Sequence, residues 1–261
     1  MSTTSSTPPT PSKSVTARAL SVLGAFSAQT PRLTQSQISR ATGLPVATVF
    51  RLAGELEEGG FLQRDASNHY SLGIKLWEMG LLTPVHGRLR EIAMPFLLNL
   101  QYVTHETVQL AVLDGLDAVY VEKLTSEVGV PIQSRIGSRI PLHATAVGQV
   151  LLAYSDASLI DEVVELPLAE YTEQTITGKR ALLRELSNVR DRGYAYSASE
   201  YLPGAVAIAA PVFVNGKIEA ACGVVNYDNR GDIEECYEAL QEACRGFSAR
   251  LEELKAAGQS Y

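Results

Sequence analysis

Arg51 and Thr48 carry the hydrogen-bonding groups of a short helical segment whose other outward side chains are apolar. A guanidinium group can bind guanine O6 and N7, or a phosphate, through two parallel hydrogen bonds. A threonine can donate to a phosphate or contact a thymine methyl group. The remaining outward positions offer apolar contact alone, and they are Val46, Ala47 and Phe50. The chemistry predicted here is DNA recognition with few direct hydrogen bonds to bases.

Two helices joined by a tight turn would position these side chains. A helix-turn-helix needs a small residue where the helices cross, a glycine in the turn, and apolar residues that lock the second helix onto the first. Ser39 and Gly43 meet the first two needs, and Thr34 with Gln37 forms a capping-box pattern before the first helix. The locking positions are Ile38, Leu44, Val49 and Leu52. The pattern predicts a recognition helix from Pro45 to about Glu58.

A hairpin is predicted directly after that helix. Strand patterns from Phe61 to Arg64 and from His69 to Leu72 flank four residues whose types favour turns. The stretch from Leu33 to Leu72 therefore has the pattern of a winged helix-turn-helix. Contacts to the DNA backbone are expected from the wing and from the start of the preceding helix, through Arg64, His69, Thr34 and Gln35. An alternative stays open, in which the helical hairpin contacts another protein.

The charge distribution supports a nucleic-acid partner for the first part of the chain. The protein has a net charge of -7, but its first 76 residues hold seven basic and four acidic side chains. The remainder holds 15 basic and 25 acidic side chains. A mildly basic head on an acidic body suits a module that faces phosphates, because backbone attraction is mostly electrostatic.

Composition sets the broad class of the protein. A length of 261 residues with 46% hydrophobic residues fits about two globular domains. Residues 1–13 are almost all Ser, Thr and Pro and are predicted to be a disordered tail. Three cysteines without a paired spacing argue against disulfides and structural zinc. With no apolar run near the roughly 20 residues that span a bilayer, a cytoplasmic protein is expected.

The second half has the pattern of an α+β domain built on an antiparallel sheet. Two further helices are predicted before this half, one from about Ser14 to Ala28 and a linker helix over residues 73–87. Later helices are predicted at Leu89 to Thr104 with a bend at Pro95, Ala144 to Tyr154, Ser158 to Val164, Lys179 to Arg192, and Ile233 to Ala256. Strands are predicted at Val108 to Val112, Ala118 to Leu124, Ile132 to Ile136, Tyr194 to Ser197, Ala205 to Phe213, and Ile218 to Tyr227.

Residues that could serve catalysis do not form a convincing set. The candidates are His143, Thr145, Glu200 and Cys222. His143 stands beside a proline before a helix of small residues, where capping or packing is the favoured role, and Cys222 lies in an apolar strand. The four histidines, His69, His86, His105 and His143, are far apart in the sequence. We therefore expect no enzyme activity, no cofactor and no metal site.

Five segments together resemble the IclR family of bacterial transcription regulators, over nearly everything from residue 14 to about residue 256. They are Ser14 to Phe26, Ala41 to Leu52, Pro141 to Gly148, Arg192 to Tyr194, and Glu200 to Val212. The resemblance implies a winged-helix domain over residues 14–72, a dimerising linker helix over 73–87, and a GAF-like domain over 88–261. It also implies a homodimer or homotetramer on palindromic double-stranded operator DNA, and a small organic effector in the GAF-like domain.

The resemblance also implies which residues line the effector cavity. Carried over by position, they are Ile136, Ala146, Val147, Ser197, Glu200, Ala207, Cys222, Gly223 and Val225. Family members that hold small keto acids place an acid near Ser197 and serines near Gly223 and Val225, and this sequence lacks them. A more apolar wall favours a larger ligand, so an aromatic or other bulky carbon-source metabolite is predicted. The alternative function is a small-molecule sensor whose helix-turn-helix serves protein contacts.

Overall fold

The computed structural model describes residues 14–27, 29–82, 84–125, 135–227 and 233–259. The chain divides into two compact units, Met1–Thr83 and Pro84–Tyr261. The boundary falls inside the stretch predicted as a linker. Among the described residues, no helix is both long enough and apolar enough to span a bilayer.

The first unit contains three helices, a two-stranded hairpin and a fourth, short helix. In chain order they are α1 (Val15–Leu23), α2 (Gln35–Thr42), α3 (Val46–Glu58), β1 (Leu62–Arg64), β2 (Tyr70–Leu72) and α4 (Ile74–Gly80). The capping box forms as predicted, since Gln37 N donates to the Thr34 side chain and Thr34 N donates to the Gln37 side chain. Gly43 ends α2 with a left-handed φ of 69°, a conformation that favours glycine.

The core of the first unit locks α3 against its neighbours. All four predicted locking residues are buried, and the other members of the cluster include Val22, Leu33, Ala53, Leu62 and Tyr70. Leu33 pairs with Tyr70 in an antiparallel bridge, which ties the hairpin to the segment before α2. Helix α1 is shorter than predicted, because it ends at Leu23 with Gly24 as its cap.

The second unit is a six-stranded antiparallel sheet with helices on both faces. Its helices are α5 (Pro84–Thr104), α6 (Ala146–Ala153), α7 (Ala157–Glu165), α8 (Lys179–Arg192) and α9 (Tyr237–Ala256), with a 3-10 turn at Ile233–Cys236. Its strands are β3 (Thr107–Asp114), β4 (Asp117–Leu124), β5 (Arg139–Pro141), β6 (Ala195–Ala198), β7 (Ala205–Val214) and β8 (Lys217–Tyr227). The strand order is β5-β4-β3-β8-β7-β6.

The two faces of the sheet bury different cores. Strand side chains such as Leu110, Ile208 and Val224 pack with helices α5 and α9. On the other face, Ala111 and Ala209 pack with helices α6, α7 and α8. Because strand side chains alternate between faces, a residue's position in its strand decides which helices it meets.

The edge of the sheet next to β4 was only partly predicted from the sequence. The predicted strand from Ile132 to Ile136 lies outside the described residues except at its end, where residues 135–138 form a turn with Ser138 N donating to Arg135 O. The edge strand at Arg139–Pro141 was missed, because three residues are too few to show an alternating pattern. Pro95 lies inside α5 without ending it.

Candidate functional sites

Helix α3 exposes the side chains that the sequence predicts for DNA contact. Val46 and Phe50 are 48% and 59% exposed, although both are large and apolar. Ala47 and Arg51 are also exposed, and Thr48 is half-buried. The opposite side of α3 packs into the core through Val49, Leu52 and Ala53. The helix therefore has one packed face and one open face, and four of the five predicted contacts are on the open face, with the half-buried Thr48 as the exception.

Arg51 already has an acidic partner on its own helix. Its Nη1 lies 2.6 Å from Glu55 Oε1, one turn further along α3, and both side chains are 54% exposed. The sequence analysis did not single out Glu55, although the i, i+4 spacing of Arg51 and Glu55 is a visible signal. A guanidinium paired in this way can contact a phosphate or a base only if it releases or shares its carboxylate.

The wing residues contact one another across the hairpin. Arg64 donates to Asn68 Oδ1 at 2.6 Å, and its guanidinium carbon lies 5.5 Å from the centre of the Tyr70 ring. His69 Nδ1 lies 3.9 Å from Asp65 Oδ1. Arg32 forms an ion pair with Asp65 and is well exposed, which adds a basic residue beside the wing that sequence reasoning missed.

Thr34 and Gln35 have structural roles in the first unit. The Thr34 hydroxyl caps α2, and Gln35 Nε2 donates to the Tyr70 hydroxyl at 3.3 Å. Both side chains are half-buried. They therefore position α2 relative to the hairpin, and any contact that they make with DNA has to be compatible with these bonds.

Several of the residues assigned to an effector site share the α6-facing side of the sheet. In the ladder, Ser197 pairs with Ala207 and Ala207 pairs with Val225. Gly223 stands two residues before Val225 on the same face, and a Cβ at Gly223 would come 2.8 Å from Val147 Cγ1. Val147 and Ala146 are in the first turn of α6 and are buried. The strand residues therefore form a floor under α6, and the Val147 side chain covers that floor at Gly223.

Cys222 lies on the opposite face of the sheet. It belongs to the cluster packed with α5 and α9, and it hydrogen-bonds the Cys244 side chain. This contact, and after it burial, raises the pKa of the Cys222 thiol well above its usual value. Since Cys222 and Gly223 are adjacent in one strand, they cannot both face the α6 side, so the carried-over assignment of Cys222 to the cavity is corrected. Ile136 is 48% exposed in the turn before β5.

Glu200 is buried beside the end of β6 without a basic partner among its described contacts. Gln149 Nε2 on α6 donates to Glu200 Oε2 at 2.8 Å, and also to His143 O at 3.0 Å. Burial raises the pKa of Glu200 to about 7, although hydrogen bonds from Gln149 and Ser197 act in the opposite direction. Glu185 on α8 adds a smaller, repulsive contribution to the same rise.

The α6-facing side of the sheet is more polar than predicted. Gln109 and Thr107 on β3 are 2% and 3% exposed, and Tyr120 on β4 is 6% exposed. Burial, together with the nearby phenol groups of Tyr201 and Tyr227, raises the pKa of Tyr120, while a hydrogen bond from Gln109 lowers it. Tyr120 thus stays a neutral phenol at physiological pH. The family resemblance assigned no cavity residue to β3 or β4, so these side chains were not predicted.

The other residues considered for catalysis serve structure. The Thr145 side chain accepts from Gly148 N and caps α6, a role that the sequence analysis considered for His143. His143 is buried, and its Nε2 lies 2.9 Å from Ala169 O. Within the described ranges, no group of three or more His, Cys, Asp and Glu side chains could hold a metal ion.

Comparison with known proteins identifies the class to which these two units belong. Residues 15–66 match the IclR helix-turn-helix domain, and residues 84–249 match the C-terminal domain of bacterial transcriptional regulators of the IclR type. The HTH-type transcriptional regulator XynR of Escherichia coli K12 is 32% identical over 240 residues, which cover 90% of this chain and 95% of XynR. The regulator KipR of Bacillus subtilis 168 is 37% identical over 195 residues, covering 74% of this chain and 78% of KipR.

A solved structure gives the same result for the fold. The crystal structure of an IclR homolog from Microbacterium hydrocarbonoxydans, complexed with 4-hydroxybenzoate, matches with a TM-score of 0.87 and 32% identity. The match covers 92% of this chain and all of that one. The chain described here belongs to the IclR family of transcription regulators, with an N-terminal DNA-binding helix-turn-helix domain and a C-terminal effector domain.

Proposed function

We propose that this regulator binds a palindromic operator as a homodimer, and that an aromatic acid in the C-terminal domain changes its affinity for that DNA. In this proposal residues 14–72 bind DNA, residues 73–87 link the two domains and residues 88–261 bind the effector. The observation that carries the DNA-binding part is the open face of α3, where Phe50 and Arg51 stay exposed while Val49 and Leu52 anchor the helix.

The recognition helix is proposed to lie in the major groove with Arg51 as its main polar reader. Thr48 and the apolar group of Val46, Ala47 and Phe50 would contact base edges or thymine methyl groups. Arg64 and His69 on the wing, together with Thr34 and Gln35, would contact the backbone. With so few polar readers, sequence discrimination should depend partly on the shape of the operator.

The dimer is supported by apolar side chains that the first unit leaves exposed on α1 and α4. Leu20 is 62% exposed, Ile74 is 65% exposed and Trp77 is 62% exposed. Ile74 and Trp77 are three residues apart and so share one side of α4, and exposed apolar side chains that are neighbours are typical of protein interfaces. A second copy of the chain would cover them and would place two recognition helices on two half-sites.

The aromatic effector is supported by two observations. A structural neighbour that matches this chain over 92% of its length is complexed with 4-hydroxybenzoate. In the chain itself, the partly exposed side chains of Ala207 and Val225, which pair on the α6-facing side of the sheet, offer a surface on which a flat ring could lie. Such a ligand can change DNA affinity only if it binds two arrangements of the dimer unequally. The linker over residues 73–87 is the element that we propose to move.

One observation favours the alternative, in which the helix-turn-helix contacts a protein. Val46 and Phe50 give α3 an apolar exposed surface, which would also suit a protein partner. The two functions differ in how binding responds to salt. Contacts to phosphates release counterions, so DNA affinity should fall steeply between 50 mM and 200 mM salt.

The decisive experiment measures binding of the full chain to DNA upstream of its own gene. A footprint with two half-sites about one helical turn apart, or a multiple of it, and a steep salt dependence would support the regulator. Addition of 4-hydroxybenzoate should then shift the affinity. A flat salt response with no footprint would refute the DNA-binding proposal, and an unchanged DNA affinity with bound ligand would refute the coupling.

A further inference from the structure

The wing of the first unit is built around one carboxylate whose two oxygens have different partners. Asp65 Oδ1 accepts hydrogen bonds from Ser67 N at 2.8 Å and from His69 N at 3.1 Å, and these bonds shape the turn between β1 and β2. Asp65 Oδ2 binds the Arg32 guanidinium. One oxygen therefore holds the turn, and the other holds a cation.

Arg32 is tied to the wing through its backbone neighbour and through its side chain. Leu33 N donates to Tyr70 O at 2.9 Å, and Tyr70 N donates to Leu33 O at 2.8 Å, which fixes the segment before α2 to β2. The Arg32 side chain reaches Asp65 just after β1 and stays 62% exposed. A guanidinium has five N–H donors, so others remain accessible beside the ion pair.

The guanidinium of Arg64 lies on the other side of the same hairpin. It is 5.5 Å from the centre of the Tyr70 ring, and Arg64 pairs with Tyr70 across the two strands. Adjacent residues of an extended chain point to opposite sides, so Asp65 and the Arg32 that it binds lie away from the Tyr70 ring. The wing thus presents one guanidinium on each side.

We propose that Arg32 is a DNA-contacting residue of the wing, that it binds a backbone phosphate on the side of the hairpin opposite to Arg64, and that Asp65 positions it. This inference rests on the proposed function, since it assumes that the wing meets DNA. It adds a contact to the four backbone contacts proposed above and assigns a role to an acidic residue on a surface that meets phosphates.

The partners of Arg32 make an exchange of carboxylate for phosphate favourable. Its ion pair with Asp65 is open to water, with the two side chains 62% and 32% exposed, and exposed pairs of this kind contribute a factor of about 1.5 to 5. A phosphate contact releases a counterion and contributes a factor of about eight at 0.1 M salt relative to 1 M. The net gain from Arg32 is therefore about two- to fivefold in affinity.

The first test measures DNA binding of the full chain by fluorescence anisotropy over a series of salt concentrations. The probes are a duplex from upstream of its own gene and a scrambled duplex of the same length. Arg32→Gln should weaken binding to both by about two- to fivefold near 0.1 M salt and lower the salt slope by about one unit. Arg32→Lys keeps the charge and should restore most of the slope. Arg250→Gln, at an exposed ion pair on α9, is the matched control and should change neither.

The second test separates the two oxygens of Asp65. Asp65→Asn keeps one side-chain oxygen to accept from Ser67 N and His69 N, but it removes the charge that holds Arg32. DNA binding should strengthen by roughly two- to fivefold. In the Arg32→Gln background the same substitution should change affinity by less than about twofold, because no guanidinium is left to release. An equal gain in both backgrounds would overturn the positioning role of Asp65.

The remaining outcomes distinguish the contact from the function beneath it. An unchanged salt slope in Arg32→Gln would overturn the phosphate contact and leave DNA binding by α3 intact. Weaker binding to the upstream duplex alone would make Arg32 a base reader and would also overturn the phosphate contact. Failure of the unmodified chain to bind either duplex would overturn the proposed DNA binding itself. Because Arg32 is exposed, Arg32→Gln should unfold at the same temperature as the unmodified chain.

Discussion

The open face of α3 and the α6-facing side of the sheet both carry polar groups, but they hold them in different surroundings. On α3, Arg51 and Glu55 are each more than half exposed, so water and salt screen their interaction. On the sheet, Gln109 and Glu200 are 2% and 9% exposed. On the α6-facing side of the sheet, water relieves neither an unpaired charge nor a poorly fitting side chain, because burial removes it.

This difference predicts how substitutions should behave in the two regions. Changes on the open helix should alter binding to a partner and leave stability nearly unchanged. Changes under α6 should alter stability first. The four variants below test that division, in order of decreasing expected effect.

Gly148→Ala should have the largest effect, as a loss of stability. A Cβ at Gly148 would lie 2.7 Å from Leu142 Cα and 2.7 Å from Pro141 O, and backbone atoms cannot easily move aside. Overpacking typically costs about 1–3 kcal/mol, and the rigid backbone neighbours put this substitution at the upper end of that range. Thermal unfolding, monitored by calorimetry, would measure the loss of stability.

Gly54→Ala on α3 is the matched control for that substitution. Among the described residues, nothing lies within 4 Å of a Cβ at Gly54, which is inside the helix. Alanine there should therefore stabilise the helix by up to about 1 kcal/mol. Equal changes in stability from Gly148→Ala and Gly54→Ala would contradict the expected difference between the buried side of the sheet and the open helix.

The same contrast explains what could be predicted from the sequence. The face of α3 follows from helical periodicity, so the burial of Val49 and the exposure of Phe50 could be predicted from local spacing. The sheet face depends on pairing between strands distant in sequence. The β-bulge that turns Tyr120 to the α6-facing side arises from the register between β3 and β4, which no local pattern contains.

Cys222 is a second example of a position that local sequence patterns do not assign to a face of the sheet. A resemblance by position assigned it to the cavity together with its neighbour Gly223, although adjacent strand residues point to opposite faces. Alternation alone could have shown that one of the two was wrong. Deciding which of the two faces the α6 side required knowledge of which helices pack on each face of the sheet.

Glu200→Gln should have the next largest effect, and its sign should depend on pH. An unfolded chain releases the Glu200 proton near pH 4.5, whereas the folded chain retains it until about pH 7. Between these values the folded state binds more protons, so stability falls as pH rises through this window and stays low above it. The ionised, buried carboxylate then destabilises the fold by roughly 2–3 kcal/mol.

Glutamine at this position removes the titration and keeps an oxygen that can accept from Gln149. The variant should be more stable than the unmodified chain at pH 8 and should differ little at pH 4. Urea unfolding at both pH values would measure this. Glu253→Gln, at an exposed ion pair with Arg250 on α9, is the control and should show no such dependence. A pH-independent effect of Glu200→Gln would contradict a proton held on Glu200.

Arg51→Ala should weaken operator binding without changing stability. If Arg51 reads a guanine, the loss is about 1–3 kcal/mol of binding free energy, and it should be largest for the cognate operator. If Arg51 contacts a phosphate alone, affinity should fall uniformly across DNA sequences and the salt slope should drop by about one unit. Fluorescence anisotropy with cognate and scrambled duplexes separates these cases. An unchanged affinity would place α3 away from the DNA.

Glu55→Gln should have the smallest effect, and it should act in the opposite direction to Arg51→Ala. Glu55 holds the Arg51 guanidinium at 2.6 Å and adds a negative charge to the face proposed to meet phosphates. Exposed ion pairs of this kind contribute about 0.2–1 kcal/mol, so freeing Arg51 should strengthen DNA binding by roughly two- to fivefold. Glu253→Gln removes an equal charge in the second unit and should leave DNA affinity unchanged. Weaker binding by Glu55→Gln would mean that Glu55 orients Arg51 for the operator, because a guanidinium fixed by a carboxylate binds with less loss of side-chain freedom.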